Sequence, residues 1–220
     1  MKLIRSQKLL SDFEVEASFY KQIAGGENFL CRNQAVIKRK GILTNKFNAV
    51  ILCVNPGSCT PANKGYTIPS IDPRTHNPPF VQVNSDPTQW QIMRLMHLKK
   101  WKQVVMINLS DLCSGNIDVF LANLKTATAH SFHYHSILSE DRTQELNDIL
   151  DRNIGALILG WGTNSKIKKL AYTALKNKLI RDKKHMGWKH EECPYYYHPK
   201  PITQENKIKW LMTIDKQLLS

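Results

Sequence analysis

AVILCVNPGSC, Ala49 to Cys59, is the stretch whose reading decides the fold. The unbroken apolar run from Ala49 to Val54 reads as a strand buried on both faces. It breaks at once into Asn55, Pro56 and Gly57, which are turn residues. The same pattern recurs along the chain. QVVMINLSDLC (Gln103 to Cys113) carries an apolar strand from Val104 to Asn108. GALILGWGTN (Gly155 to Asn164) carries Ala156 to Leu159 and then a Gly-Trp-Gly turn. CPYYYHPKP (Cys193 to Pro201) supplies a short fourth strand, Tyr195 to Tyr197, that ends at His198. Helical patterns stand between these runs. Alternation of this kind predicts an α/β fold: a three-layer α/β/α sandwich around a central, mostly parallel four-stranded sheet. Ligands bind beyond the carboxyl ends of such strands, so the four ends are expected to build one site.

The clearest helix start is Asp86, a good N-cap, followed by Pro87 at the first helical position and Gln89 where a capping-box partner belongs. Trp90, Met93, Leu95, Met96 and Leu98 supply its apolar positions. Further helices are expected over Ile117 to Ala127 and Glu140 to Asp151. A long basic helix is expected over Ser165 to Lys183, and a last helix is capped by Thr203. Residues 55–85 carry six prolines and no sustained periodicity. Such long loops in compact domains are usually functional or disordered, and this one leaves the end of a core strand. Residues 1–48 are expected as an N-terminal extension packed on a single domain spanning 1–220. Within them FEVEASFY alternates like a half-buried strand.

The net charge is +13, from 31 Lys+Arg against 18 Asp+Glu, which favours a polyanionic partner over a neutral one. Five cysteines, odd in number and without a C-x-x-C pair, argue against a disulfide framework. With charged first residues no secretory signal is expected, and no run is long enough for a membrane span, so a cytoplasmic protein without a membrane partner is expected.

Several residues could carry chemistry. Gly57 allows a ligand close to the backbone, and the amide of Asn55 can orient a water or bind a base edge. Both also suit an ordinary turn. Asn108 ends a buried strand, where its amide needs partners; such amides read nucleobase edges. His198, set between three tyrosines and Pro199, could stabilise negative charge or move a proton. His130, His133 and His135, and the set His185, His190, Cys193 and His198, match no standard zinc spacing, so no metal is expected. No P-loop or G-x-G-x-x-G is present, and no cofactor is expected. Lys166, Lys168 and Lys169 begin the basic helix at the proposed site and could meet phosphates, or simply solvate its face.

In combination and in order, the four strings resemble the motif series of the uracil-DNA glycosylase superfamily. That series has a first turn of the type GQDPYH or GINPG, an apolar strand ending in Leu-Asn, another ending in Trp-Gly, and a HPSPL segment. Here these are VNPG, MINLSDL, LILGWG and HPKPI. The chain also resembles a family of bacterial domains of unknown function with N-P-S-T, D-P-T, V-N-L, W-G and H-P motifs. The resemblance covers Ala49 to the C-terminus. It implies that Asn55 positions a water, that Asn108 reads the edge of an extruded base, and that His198 stabilises the departing base. Gly57, Ser58 and Trp161 would complete the base pocket. Lys200 and Ile202, with the basic helix start, would contact DNA, Ile202 as an apolar wedge. Three departures stand out: Asn replaces the Asp of the first motif, Gly57 stands where one branch has a pocket-shaping Tyr, and Lys200 replaces a small Ser. DNA is thus the expected partner and base excision the expected reaction. The rival expectations are an inactive pseudo-glycosylase that binds DNA or an acidic DNA-mimic inhibitor protein, and a metal-dependent or nucleotide-processing enzyme.

Overall fold

The computed structural model describes residues 2–219. A short helix α1 (Ser6–Asp12) leads into a long hairpin of β1 (Phe13–Ala24) and β2 (Glu27–Arg39). Its turn is Gly25-Gly26, both with positive φ, as a two-residue hairpin turn requires. Then follow β3 (Phe47–Cys53), β4 (Phe80–Gln82), α2 (Pro87–Lys99), β5 (Gln103–Asn108), α3 (Ile117–Ala129), α4 (Thr143–Asp151) and β6 (Asn153–Leu159). The chain closes with α5 (Lys168–Lys176), α6 (Lys178–Arg181), β7 (His185–Met186) and α7 (Gln204–Gln217).

All seven strands form one mixed sheet in the order β4-β1-β2-β5-β3-β6-β7. The α/β class is as expected, but the four-stranded, mostly parallel sheet is corrected. Four parallel strands, β5-β3-β6-β7, are extended on one side by the antiparallel β2, β1 and β4. Residues 13–39, expected in an extension packed on the domain, supply the two longest strands of that sheet. The fourth parallel strand is His185–Met186, not residues 195–197. The latter make only isolated pairings, Tyr196 bridging both Gly162 and Lys189. The long basic helix is also broken. Asn177 is extended (φ −61°, ψ 124°), and its side chain caps a new helix by accepting from the N–H groups of Leu179 and Ile180. Asp86 forms the expected capping box with Gln89. The long segment after β3 is not wholly irregular, since β4 within it pairs with β1.

Strand β3 lies between β5 and β6 within the parallel half of the sheet and alternates between two cores. Val50 and Leu52 pack with the side chains of α3, α4, α5 and α6 on one face. Ala49, Ile51 and Cys53 pack with α1, α2 and α7 on the other. On the first face Arg142, fully buried, bridges the carboxylates of Asp111 and Glu145. The Tyr20 hydroxyl donates to Asp111 (2.9 Å), and Arg142 donates to Asn33 (3.1 Å), so one charged network ties the hairpin to the exit of β5.

From β3 the chain crosses to β5 through α2 on one face. From β5 it returns over β3 to β6 through α3 and α4 on the other. The connections diverge between β3 and β5, and such a switch point opens a crevice beyond the carboxyl ends. No helix among the described residues is long and apolar enough to cross a membrane.

Candidate functional site

The four strand-end strings meet at this edge. The N–H of Leu109 donates to Cys53 O (2.9 Å) and that of Gly160 to Leu52 O (2.9 Å), which continues the ladder past the strands. Gly162 N–H donates to Tyr196 O (2.8 Å), and the Trp161 indole donates to Pro194 O (3.0 Å). A Cβ on Gly160 would fall 2.9 Å from Cδ of Pro199, so only glycine lets the His198–Pro199 segment seat there.

A polar cavity of about 280 Å³ opens at the switch point, small for a drug but in scale with a single planar ring system. Asn55, Gly57, Ser58, Asp86, Ser114 and His198 are on its wall, Cys53 and Met106 among its apolar contacts, and Lys200 at its exposed rim. The Asn55 amide nitrogen donates to Ser114 O (2.7 Å), which fixes the side chain and leaves Oδ1 as a free acceptor. Gly57 has φ +71°, and a Cβ there would lie 3.8 Å from Asp86 Oδ2. Oδ1 of Asp86 is engaged by the N–H groups of Thr88 and Gln89 (2.7 and 2.9 Å). Oδ2 is left to the cavity. The first turn lacks a carboxylate, but the cap of α2 brings one to the same place. Sequence reasoning saw Asp86 only as a cap.

His198 Nδ1 accepts the Lys200 N–H (3.1 Å), so in the neutral ring the proton sits on Nε2. Burial pushes its pKa down to about 4, opposed by the charge of Asp86, while the N–H donated into Nδ1 further favours the neutral ring. The imidazole is therefore a neutral N–H donor at physiological pH. It can stabilise a developing anion without first losing a proton.

Two groups below the wall are unusual. Asn108 is fully buried and both atoms of its amide lack a hydrogen-bond partner. It shares a strand face with Met106, which borders the cavity, although Asn108 itself is not on the wall. Arg32 is buried, is on the wall, and has Nε and Nη1 unpartnered. Sequence reasoning missed it. The one available signal was a charged residue interrupting the apolar alternation of FLCRNQAVI.

The other expected site residues are placed as follows. Ser58 is on the wall and exposed. Trp161 is buried, packs edge-on against Tyr196 at 5.3 Å, and lies off the cavity wall. Lys168 and Lys169 are exposed at the start of α5, while Lys166 pairs with Asp118 (2.7 Å). Ile202 is 95% exposed, two residues beyond Lys200. Among the described residues no three His, Cys, Asp or Glu side chains are grouped to hold a metal ion.

Comparison with family models, curated proteins and solved structures finds no match to this chain.

Proposed function

We propose that this protein binds DNA, holds an extruded base in the cavity between the ends of β3 and β5, and excises that base by hydrolysis of its N-glycosidic bond. One observation carries the reading. A neutral N–H donor (His198) and two free acceptors (Asn55 Oδ1, Asp86 Oδ2) share the wall of one polar cavity at the switch point. The rim adds exposed Lys200, with the almost fully exposed Ile202 two residues beyond it, on a chain with net charge +13. A uracil-DNA-glycosylase-like domain is the finer fold assignment that goes with this proposal. The meeting of the four motif strings at one sheet edge supports it.

In this reading Asn55 and Asp86 hold a water by accepting its hydrogens. The C1′–N bond breaks and its electron pair leaves on the base. The water oxygen bonds to C1′, and its released proton finally resides on the base. His198 Nε2–H donates to the base as negative charge builds on it. Extrusion costs a few kcal/mol of stacking and pairing. Lysine–phosphate contacts, and Ile202 filling the vacated step, offset that cost.

The test is incubation with duplex and single-stranded oligonucleotides carrying uracil, hypoxanthine or etheno bases, with abasic sites read by alkaline cleavage. Cleavage lost in His198→Ala and in Asn55→Ala supports the reading. Salt-sensitive DNA binding with no cleavage on any base supports a pseudo-glycosylase, whose rim could equally meet an acidic DNA-mimic protein. Absence of DNA binding at low salt overturns both.

A further inference from the structure

The cavity contains a buried cation without an ion-pair partner, its one wall carboxylate, Asp86, standing outside salt-bridge distance. Arg32 is 2% exposed, and its Nε and Nη1 are closed off from solvent without an acceptor. Among the described residues no carboxylate lies within ion-pair distance of it. The thiols of Cys53, Cys59 and Cys113 lie close enough to feel its charge. Burial raises all three, so they stay protonated and cannot neutralise the guanidinium. A buried, unpaired charge is costly to hold.

The backbone is built to place it there. Along β2, Ile37 and Ala35 face the core on the cavity side, so strict alternation would bring residue 33 to that face. The pairing of β1 with β2 shifts instead: Ser18 faces Gln34 but Phe19 faces Arg32, which leaves Asn33 as an extra residue. This β-bulge turns Arg32 toward the cavity and sends Asn33 to Arg142 on the opposite face. The unpaired Asn108 amide lies on the cavity side of the neighbouring strand β5.

We propose that Arg32 is an anion receptor for the excised base, so that the pocket binds the ionised form of a keto base in preference to its neutral form. This rests on the base-pocket reading above. A guanidinium offers only donors. It can meet a keto oxygen or a deprotonated ring nitrogen, and it opposes an exocyclic amine. During excision the electron pair of the broken C1′–N bond spreads onto the base oxygens, where Arg32 would hold it until a proton arrives from the attacking water. After cleavage the free base anion would remain bound and inhibit.

The test uses free bases and the intact protein: 5-nitrouracil, ionised at neutral pH, uracil, which is neutral there, and cytosine as the amino-bearing control, each titrated by calorimetry. The expected result is a preference of about 10- to 100-fold for ionised 5-nitrouracil over uracil, with cytosine weakest, since hydrogen bonds to charged groups are worth about 1.5–3 kcal/mol. Arg32→Met should abolish the preference and Arg32→Lys should keep part of it, with folding of each confirmed by thermal melting. Equal affinity for both bases in the unaltered protein, or a preference that survives Arg32→Met, overturns the proposal while leaving a base pocket. Binding of inorganic phosphate that matches 5-nitrouracil and is lost in Arg32→Met keeps Arg32 as an anion site but overturns the base-pocket reading. Binding of no probe overturns both.

Discussion

Arg32→Met should make this protein more stable. The side chain is buried, two of its nitrogens have no acceptor, and its neighbouring thiols are neutral. Methionine has similar reach, no charge, and a flexible thioether suited to a gap beside Met106 and Cys53. Even buried charges that are paired can be replaced by apolar side chains with a gain of about 1–4 kcal/mol, and here no ion-paired carboxylate is left behind. In a chain of this size 1 kcal/mol moves the melting midpoint by about 2–4 °C, so a rise of roughly 2–16 °C is expected. Calorimetric melting and urea titration with an unchanged m value would measure it. The gain in stability should accompany a loss of ligand binding, as is common where a site holds a group for function. A fall of about 1 kcal/mol or more would refute the reasoning, because it would mean that Arg32 is satisfied within the fold.

The opposite outcome is expected on the other face of the sheet. Arg142→Met strands the buried Asp111 carboxylate beside Glu145 and should cost about 3–5 kcal/mol in urea unfolding. His198 and His135 both have pKa values lowered to about 4, below the unfolded value near 6.5. Their contribution to stability is therefore fully present above about pH 6.5 and lost as pH falls toward 4, because the unfolded chain takes up protons first. For the same reason base excision should show no acid-limb inflection near pH 6.5, and one found there would contradict a neutral His198. Replacing Lys168 and Lys169 with alanine should lower the slope of log affinity for duplex DNA against log salt by up to about 2, evenly across sequences. Ile202→Ala should leave that slope unchanged and reduce base extrusion, read by fluorescence of a base analogue at the target position.

The strand ends were legible because they are local features. AVILCV and QVVMIN are apolar whatever surrounds them, and Asn55-Pro56-Gly57 is turn chemistry on its face. The capping box at Asp86 was legible for the same reason. The antiparallel half of the sheet was much harder to see. Strand β1 shows clean alternation through Phe13, Val15, Ala17 and Phe19, but beyond Ser18 that alternation is lost, and its partner β2 contains the bulge at Asn33. That bulge breaks the period of two that pattern reading relies on, and it is the same feature that places Arg32 in the cavity. Residues 195–197 misled in the other direction. Three tyrosines suit a strand by propensity, yet Trp161, Trp188 and His190 take up their rings and backbone, and the edge of the sheet is the dipeptide His185–Met186. The second role of Asp86 depends on Gly57 standing across from it, a proximity that separation along the chain does not reveal.

The central claim is that the cavity at the end of β3 and β5 receives a base taken out of the DNA stack. Its most direct test is the fluorescence of 2-aminopurine placed beside a target uracil in a duplex, titrated with His198→Ala protein so that binding is observed without excision. The account predicts a saturable rise in fluorescence as the base leaves the stack, weakened by added salt and by Ile202→Ala. Duplex binding that saturates with the fluorescence unchanged would contradict it.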